Sequence, residues 1–93
     1  MCHFNLSVVD QHGNSPLHIA AQNGKSKIAR YLLSLGFDPN AQNRNGQTPL
    51  HYANVYRYKN VADLLIEVGA KNFILNQYGL SPEDGISREK PGL

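Results

Sequence analysis

The chain contains no tryptophan, one cysteine (Cys2) and one methionine (Met1). A single thiol excludes an intramolecular disulfide and any cysteine-rich zinc site, which fits a reducing compartment. An intracellular location, cytoplasmic or nuclear, is therefore expected. Charge is also sparse: 17% of residues are charged, with a formal net charge of +2. That surplus is too small to imply a nucleic-acid partner by itself. No apolar run approaches the roughly 20 residues that cross a bilayer. Residues 1–9 are too short and too polar for a secretory leader, so no membrane partner is expected. Ninety-three residues suffice for one small domain with modest burial.

What the chain does have is repetition. Ser15-Pro16-Leu17-His18 returns as Thr48-Pro49-Leu50-His51, and a weaker copy starts at Ser81-Pro82, each 33 residues after the last. Gly13, Gly46 and Gly79 stand two residues before each copy. Ser15, Thr48 and Ser81 can cap a helix by accepting a hydrogen bond from an orphan backbone N–H. The proline that follows suits the first helical position, where its missing donor costs nothing. Glu83 and Asp84 add acids to a third first turn, matching the positive end of a helix dipole.

The apolar pattern fills in the rest. A first helix is expected over Pro16 to Asn23, with Leu17, Ala20 and Ala21 inward and Gly24 as its stop. A second should run from Ser26 to Leu35, with Ile28, Ala29, Leu32 and Leu33 on one stripe. The next unit repeats the plan, with Val61, Leu64, Leu65 and Val68 on its second stripe and Gly69 as terminator. Asn54-Val55-Tyr56-Arg57 replaces Ala21-Gln22-Asn23-Gly24 there, so the glycine stop is lost. In the third unit Glu83 replaces the leucine, Asp84 replaces the histidine, and Gly85 weakens the helix. A polar last helix is what the end of a stack requires.

A 33-residue period around a Thr/Ser-Pro-Leu-His core resembles the ankyrin repeat. The resemblance implies an all-α solenoid of antiparallel helix pairs with hairpin-like loops. On that grid, residues 1–9 match the tail of a preceding repeat, residues 10–42 and 43–75 two full repeats, and residues 76–87 a truncated capping repeat. Residues 88–93 read as a flexible tail. His18 and His51 then tie each turn to its neighbour; as a metal pair they lack a third ligand at sensible spacing. Gly24-Lys25-Ser26 fails as a phosphate loop, because Ile19 stands where that motif needs glycine. No catalytic constellation stands out, so neither an enzyme nor a cofactor is expected.

The resemblance further implies a protein-binding adaptor or scaffold that engages its partner through loop tips and the exposed faces of the first helices. Carried over by position, those residues are Gln11, His12, Asn14, Gln22 and Asn23 in the first repeat. The second supplies Gln42, Arg44, Asn45, Gln47, Val55 and Tyr56, and the third Leu75, Gln77, Tyr78 and Leu80. Tyrosine and arginine are frequent anchors, which puts the energetic centre between the second and third repeats. Tyr56, Tyr58 and Tyr78 could equally serve as covers for a thin core. The alternative function is a nucleic-acid-associated regulator using Arg44, Arg57, Lys59 and Lys71. Lys25, Lys27 and Arg30 read as a solvated convex face. The N-terminal side, with Phe4, Leu6, Val8 and Val9, carries no polar cap. Cover by an upstream repeat, self-association or a partner is expected there.

Overall fold

A computed structural model describes residues 8–86. Most of the expected repeat tail at residues 1–9, and all of the tail at 88–93, lie outside the described residues. Four helices follow in order: α1 (Pro16–Gln22), α2 (Ser26–Ser34), α3 (Pro49–Val55) and α4 (Lys59–Glu67). The described residues contain no strand, and the chain folds as an all-α repeat stack. α1 and α2 end one residue before their expected limits.

Each first helix starts on a reciprocal cap. Ser15 Oγ accepts from the His18 backbone N–H at 3.3 Å, while His18 Nδ1 accepts from the Ser15 backbone N–H at 3.0 Å. Thr48 and His51 repeat the arrangement at 3.3 and 3.0 Å. A Glu or Gln usually closes such a box; here an imidazole does so, leaving its far nitrogen to reach elsewhere. α2 and α4 have no side-chain cap. Helices of seven and nine residues are marginal alone, so packing must hold them.

That packing is helix on helix in two layers. α1 lies against α3 and α2 against α4, while each pair closes on itself. Leu17, Leu50, Val61 and Leu65 are fully buried at the junction, each contributing roughly 1.5–3 kcal/mol by burial. Ala21, Ala29 and Ala53, also fully buried, keep the helices close. Leu32 and Leu33 are only partly buried against this core.

Three expectations are corrected. The apolar stripes predict burial of Ile28 and Val68, but these are 53% and 44% exposed. Ile28 faces the side where no described element follows, and Val68 is the C-cap of α4, past its packed turns. The second inter-helix turn has lost its glycine but not the glycine conformation. Arg57 adopts φ +62°, close to the +67° of Gly24, and is the sole described non-glycine residue with positive φ. Finally, Ser81-Pro82 starts a turn rather than a helix. Asp84 Oδ2 accepts from the Ser81 backbone N–H at 3.2 Å and from Ser81 Oγ at 3.0 Å. The half of the cap that holds the first residue survives. Gly85, at φ +120°, then leads the backbone out of the helical region.

Glycine is required where successive loops touch. A Cβ on Gly46 would sit 2.9 Å from both Asn76 Cα and Gln77 N, and one on Gly13 would sit 2.9 Å from Arg44 N. Real Cβ atoms do not approach backbone so closely, so these glycines set how near each loop tip lies to the next.

Candidate functional site

The loop tips rest on a polar skeleton with a 33-residue step, exposed at Asp10 and buried at Asn43 and Asn76. Asp10, Asn43 and Asn76 occupy equivalent places, and each folds its own loop as an Asx turn. Asp10 Oδ1 accepts from the backbone N–H groups of His12 and Asn14 at 2.8 and 2.9 Å. Asn43 Oδ1 accepts from Asn45 and Gln47, both at 2.9 Å. Asn76 Oδ1 accepts from Tyr78 and Leu80 at 2.9 and 3.1 Å.

The other side-chain atom of each asparagine reaches back to the preceding loop. Asn43 Nδ2 donates to Asn14 Oδ1 and to the Tyr52 hydroxyl, both at 2.8 Å. Asn76 Nδ2 donates to Gln47 Oε1 at 3.1 Å. Amide orientation follows from both ends of this chain of bonds. The Asp10 carboxylate only accepts, so Asn14 must turn its Nδ2 to Asp10 Oδ2 at 3.2 Å and its oxygen to Asn43. No buried side-chain nitrogen or oxygen among the described residues is left without a partner.

The histidines tie the same loops a layer below. His18 Nε2 donates to the Gln47 carbonyl at 2.8 Å and His51 Nε2 to the Leu80 carbonyl at 2.9 Å. With Nδ1 accepting inside the cap, each imidazole is fixed as the neutral Nε2–H tautomer. Burial pushes both below the ordinary histidine pKa of 6.5, against the pull of the carbonyl each bonds. Hydrogen bonds, that from the Asn14 backbone first among them, hold the exposed Asp10 carboxyl below its ordinary 3.8. Burial raises the Tyr52 phenol above 10.0.

Against this skeleton, the residues expected at a partner surface divide into three groups. Asn14 and Gln47 are corrections: they are 8% and 3% exposed and belong to the amide ladder. Their loop positions suggest solvent-facing amides, but a neighbouring asparagine covers each one. The recurrence of Asp10, Asn43 and Asn76 on the grid was the signal that could have revealed the ladder.

The second group gathers at the tips. Gln11, His12, Gln42, Arg44, Asn45, Leu75, Gln77 and Tyr78 are all exposed. Main-chain bonds bring them together, from Arg44 N–H to the His12 carbonyl at 3.1 Å and from Gln77 N–H to the Asn45 carbonyl at 2.8 Å. Gln42 Nε2 adds a bond to the Leu75 carbonyl at 3.0 Å. Leu80 is half-buried beneath them.

The third group sits at and just past the far ends of α1 and α3. Gln22 and Val55 are half-buried, Asn23 is exposed, and Tyr56 is 48% exposed. The Tyr56 ring stacks on Tyr52 at 6.3 Å between centroids, 7° from parallel. Tyr58 is a packing residue: its ring lies over Gly24, where a Cβ would meet it at 2.7 Å. A helix of seven residues, about 10 Å long, separates Arg44 and the other tips from Tyr56 and Arg57.

A family model described as "Ankyrin repeats (3 copies)" matches residues 1–76. The chain belongs to the ankyrin-repeat family. An ankyrin and IPT/TIG repeat-containing protein of Schizosaccharomyces pombe is 36% identical over 85 residues, covering 91% of this chain and 7% of that protein. Human ARF GTPase-activating protein GIT2 is 36% identical over 58 residues, covering 62% of this chain and 8% of that protein. The human transient receptor potential cation channel subfamily A member 1 is 37% identical over 62 residues, 67% of this chain and 6% of the channel. The chain thus spans less than a tenth of each relative's length. Ankyrin repeats are general protein-interaction modules and are typically non-catalytic. No described helix is long and apolar enough to cross a membrane.

Proposed function

We propose that this chain is a non-catalytic, intracellular adaptor module that holds a partner protein against its loop tips, with Arg44, Tyr78 and Leu75 as the central contacts. One observation carries this reading. The buried ladder and the two histidines absorb the polar groups that would otherwise let the loops move, while the tip side chains stay exposed. Loops ordered in this way have little backbone freedom left to lose on binding, which favours affinity. Tyr56 stands about a helix length away and supplies a second, outlying contact.

The nucleic-acid alternative is less well supported. Arg44 and Lys71 belong to the loop end of the stack, whereas Arg57 lies in the inter-helix turn and Lys59 opens α4 at that same end. Lys59 is also paired with Asp63 at 3.1 Å. Four cations split between two ends make no continuous track for a phosphate backbone.

Affinity capture with the wild-type chain and an Arg44→Ala/Tyr78→Ala chain as paired baits tests the proposal. The expected result is a protein retained by the first, lost by the second, and insensitive to moderate salt. Capture equal on both baits would overturn it.

A further inference from the structure

The two ends of the stack differ in kind. On the 33-residue grid, Pro16, Ala20, Ile28 and Leu32 correspond to Pro49, Ala53, Val61 and Leu65. The second set is fully buried against the first repeat. The first set lines an open apolar groove with Ile19, in which Ile28 is 53% and Ile19 40% exposed. Val8 and Val9 continue this surface beyond Pro16. The opposite end sets polar and charged groups among its apolar ones: Asn54, Arg57, Lys59 and Asp63 stand beside Ala62 and Ile66. Asn54 and Arg57 stand where the first repeat has Ala21 and Gly24, and Asn54 Nδ2 donates to the Pro82 carbonyl at 3.1 Å.

We propose that the apolar end of the first repeat is the interface of a symmetric dimer of this chain, formed by two α1–α2 pairs face to face and antiparallel. Head-to-tail stacking would press Arg57 into the apolar groove and strip water from a charge that finds no partner there. A contact between two copies of the apolar face has no such cost, and it closes on itself. Charge selects the orientation. Among the described residues that line the face, two are charged, Asp10 at the loop end and Lys25 at the inter-helix turn, with α1 between them. A two-fold axis across the helices sets Lys25 against the partner's Asp10. An axis along the helices would set it against the partner's Lys25 instead. The apolar lining among the described residues is short, running from Val8 and Val9 through Ile19 to Ile28 and Leu32. A standard interface has roughly 20–30 residues a side, so the dimer is weak and depends on concentration.

Sedimentation equilibrium of the full chain between about 10 μM and 1 mM, a range that brackets weak association, tests this. The expected average mass climbs from 10.3 kDa toward twice that value. Ile28→Glu should stay monomeric, while Ile66→Glu, at an equally exposed isoleucine (53%) on α4, should associate like the wild type. Should Ile28→Glu lose its helical circular dichroism, Ile28→Ser reads the same outcome. Lys25→Glu should weaken the dimer several-fold at low salt, since it faces Asp10. A mass fixed at the monomer value up to about 1 mM would overturn the proposal. So would association that survives at residue 28 but is lost at residue 66. Association unchanged or tighter in Lys25→Glu would overturn the antiparallel orientation, since two glutamates face to face repel as two lysines do.

Discussion

His18 crosses the boundary between repeats to donate its Nε2–H to the Gln47 carbonyl at 2.8 Å, and both groups are buried. His51 makes the same reach to Leu80 at 2.9 Å, but at a part-buried site. Replacing His18 by alanine leaves the Ser15 N–H without a partner in a dry place, at roughly 1–3 kcal/mol. It also removes one of the two hydrogen bonds at the Gln47 carbonyl, which keeps that from the Asn43 N–H at 2.9 Å, and opens a cavity. Water can replace part of what His51→Ala removes. Urea unfolding should therefore show a larger loss for His18→Ala, about 2–4 kcal/mol, than for His51→Ala. Equal losses would mean that burial does not set the cost.

The same residues predict a pH response. Both imidazoles are held neutral in the fold, with pKa values below the ordinary 6.5. The unfolded chain then binds protons at a higher pH than the folded one does. Stability should be full above about pH 6.5 and fall as pH drops below it, until the folded-state pKa values are passed. Urea midpoints between about pH 7.5 and 5 should decrease, and the slope should flatten in His18→Gln. A midpoint that rises on acidification would contradict the assignment of neutral imidazoles in the fold.

Arg57 offers a gain. Its φ of +62° places a side chain in a region that costs a non-glycine residue of order 1 kcal/mol or more. Arg57→Gly should stabilise the chain by about 1 kcal/mol, less the extra backbone freedom of glycine in the unfolded state. Gly24→Ala should be destabilising, because the added Cβ would lie 2.7 Å from the Tyr58 ring. Thermal melts read both directly. A loss in Arg57→Gly would show that the arginine side chain contributes more to the fold than its strain costs.

The helix starts were legible because their signals are local. A cap, a proline and an inward leucine lie within four residues and recur on a fixed period. The ladder was not legible in Asn14 or Gln47 taken singly. Each looks like a loop amide, and only contact with a residue 29 positions away turns it into a buried strut. Ile28 misled for a related reason. It does lie on the helical stripe, but a stripe does not say whether anything lies opposite. The third start also failed on context: Ser81-Pro82 carries the cap chemistry, but Glu83 supplies no apolar contact and Gly85 departs from helical φ. Arg57 shows the converse, a conformation kept after the residue that favours it has gone.

The ladder makes a prediction about polarity. Asn14 lies between Asp10, to which it donates, and Asn43, from which it accepts. Asn43→Asp keeps the Asx turn but puts a second acceptor opposite the Asn14 oxygen, while Asp10 still demands the Asn14 amide nitrogen. One amide cannot satisfy two carboxylates, so the variant should lose about 2–3 kcal/mol. Asp10→Asn is at an exposed position and should cost less than about 1 kcal/mol. The two changes together reverse the ladder: the new amide at residue 10 donates to the Asn14 oxygen, and Asn14 donates to the new carboxylate at residue 43. The Tyr52 hydroxyl, which accepts from Asn43 in the native chain, can rotate to donate. The double variant should therefore recover at least half of the loss from Asn43→Asp alone, a coupling that a double-mutant cycle in urea isolates. Strict additivity would mean that the cost at residue 43 is burial of charge by itself, with no role for the direction of the hydrogen bonds.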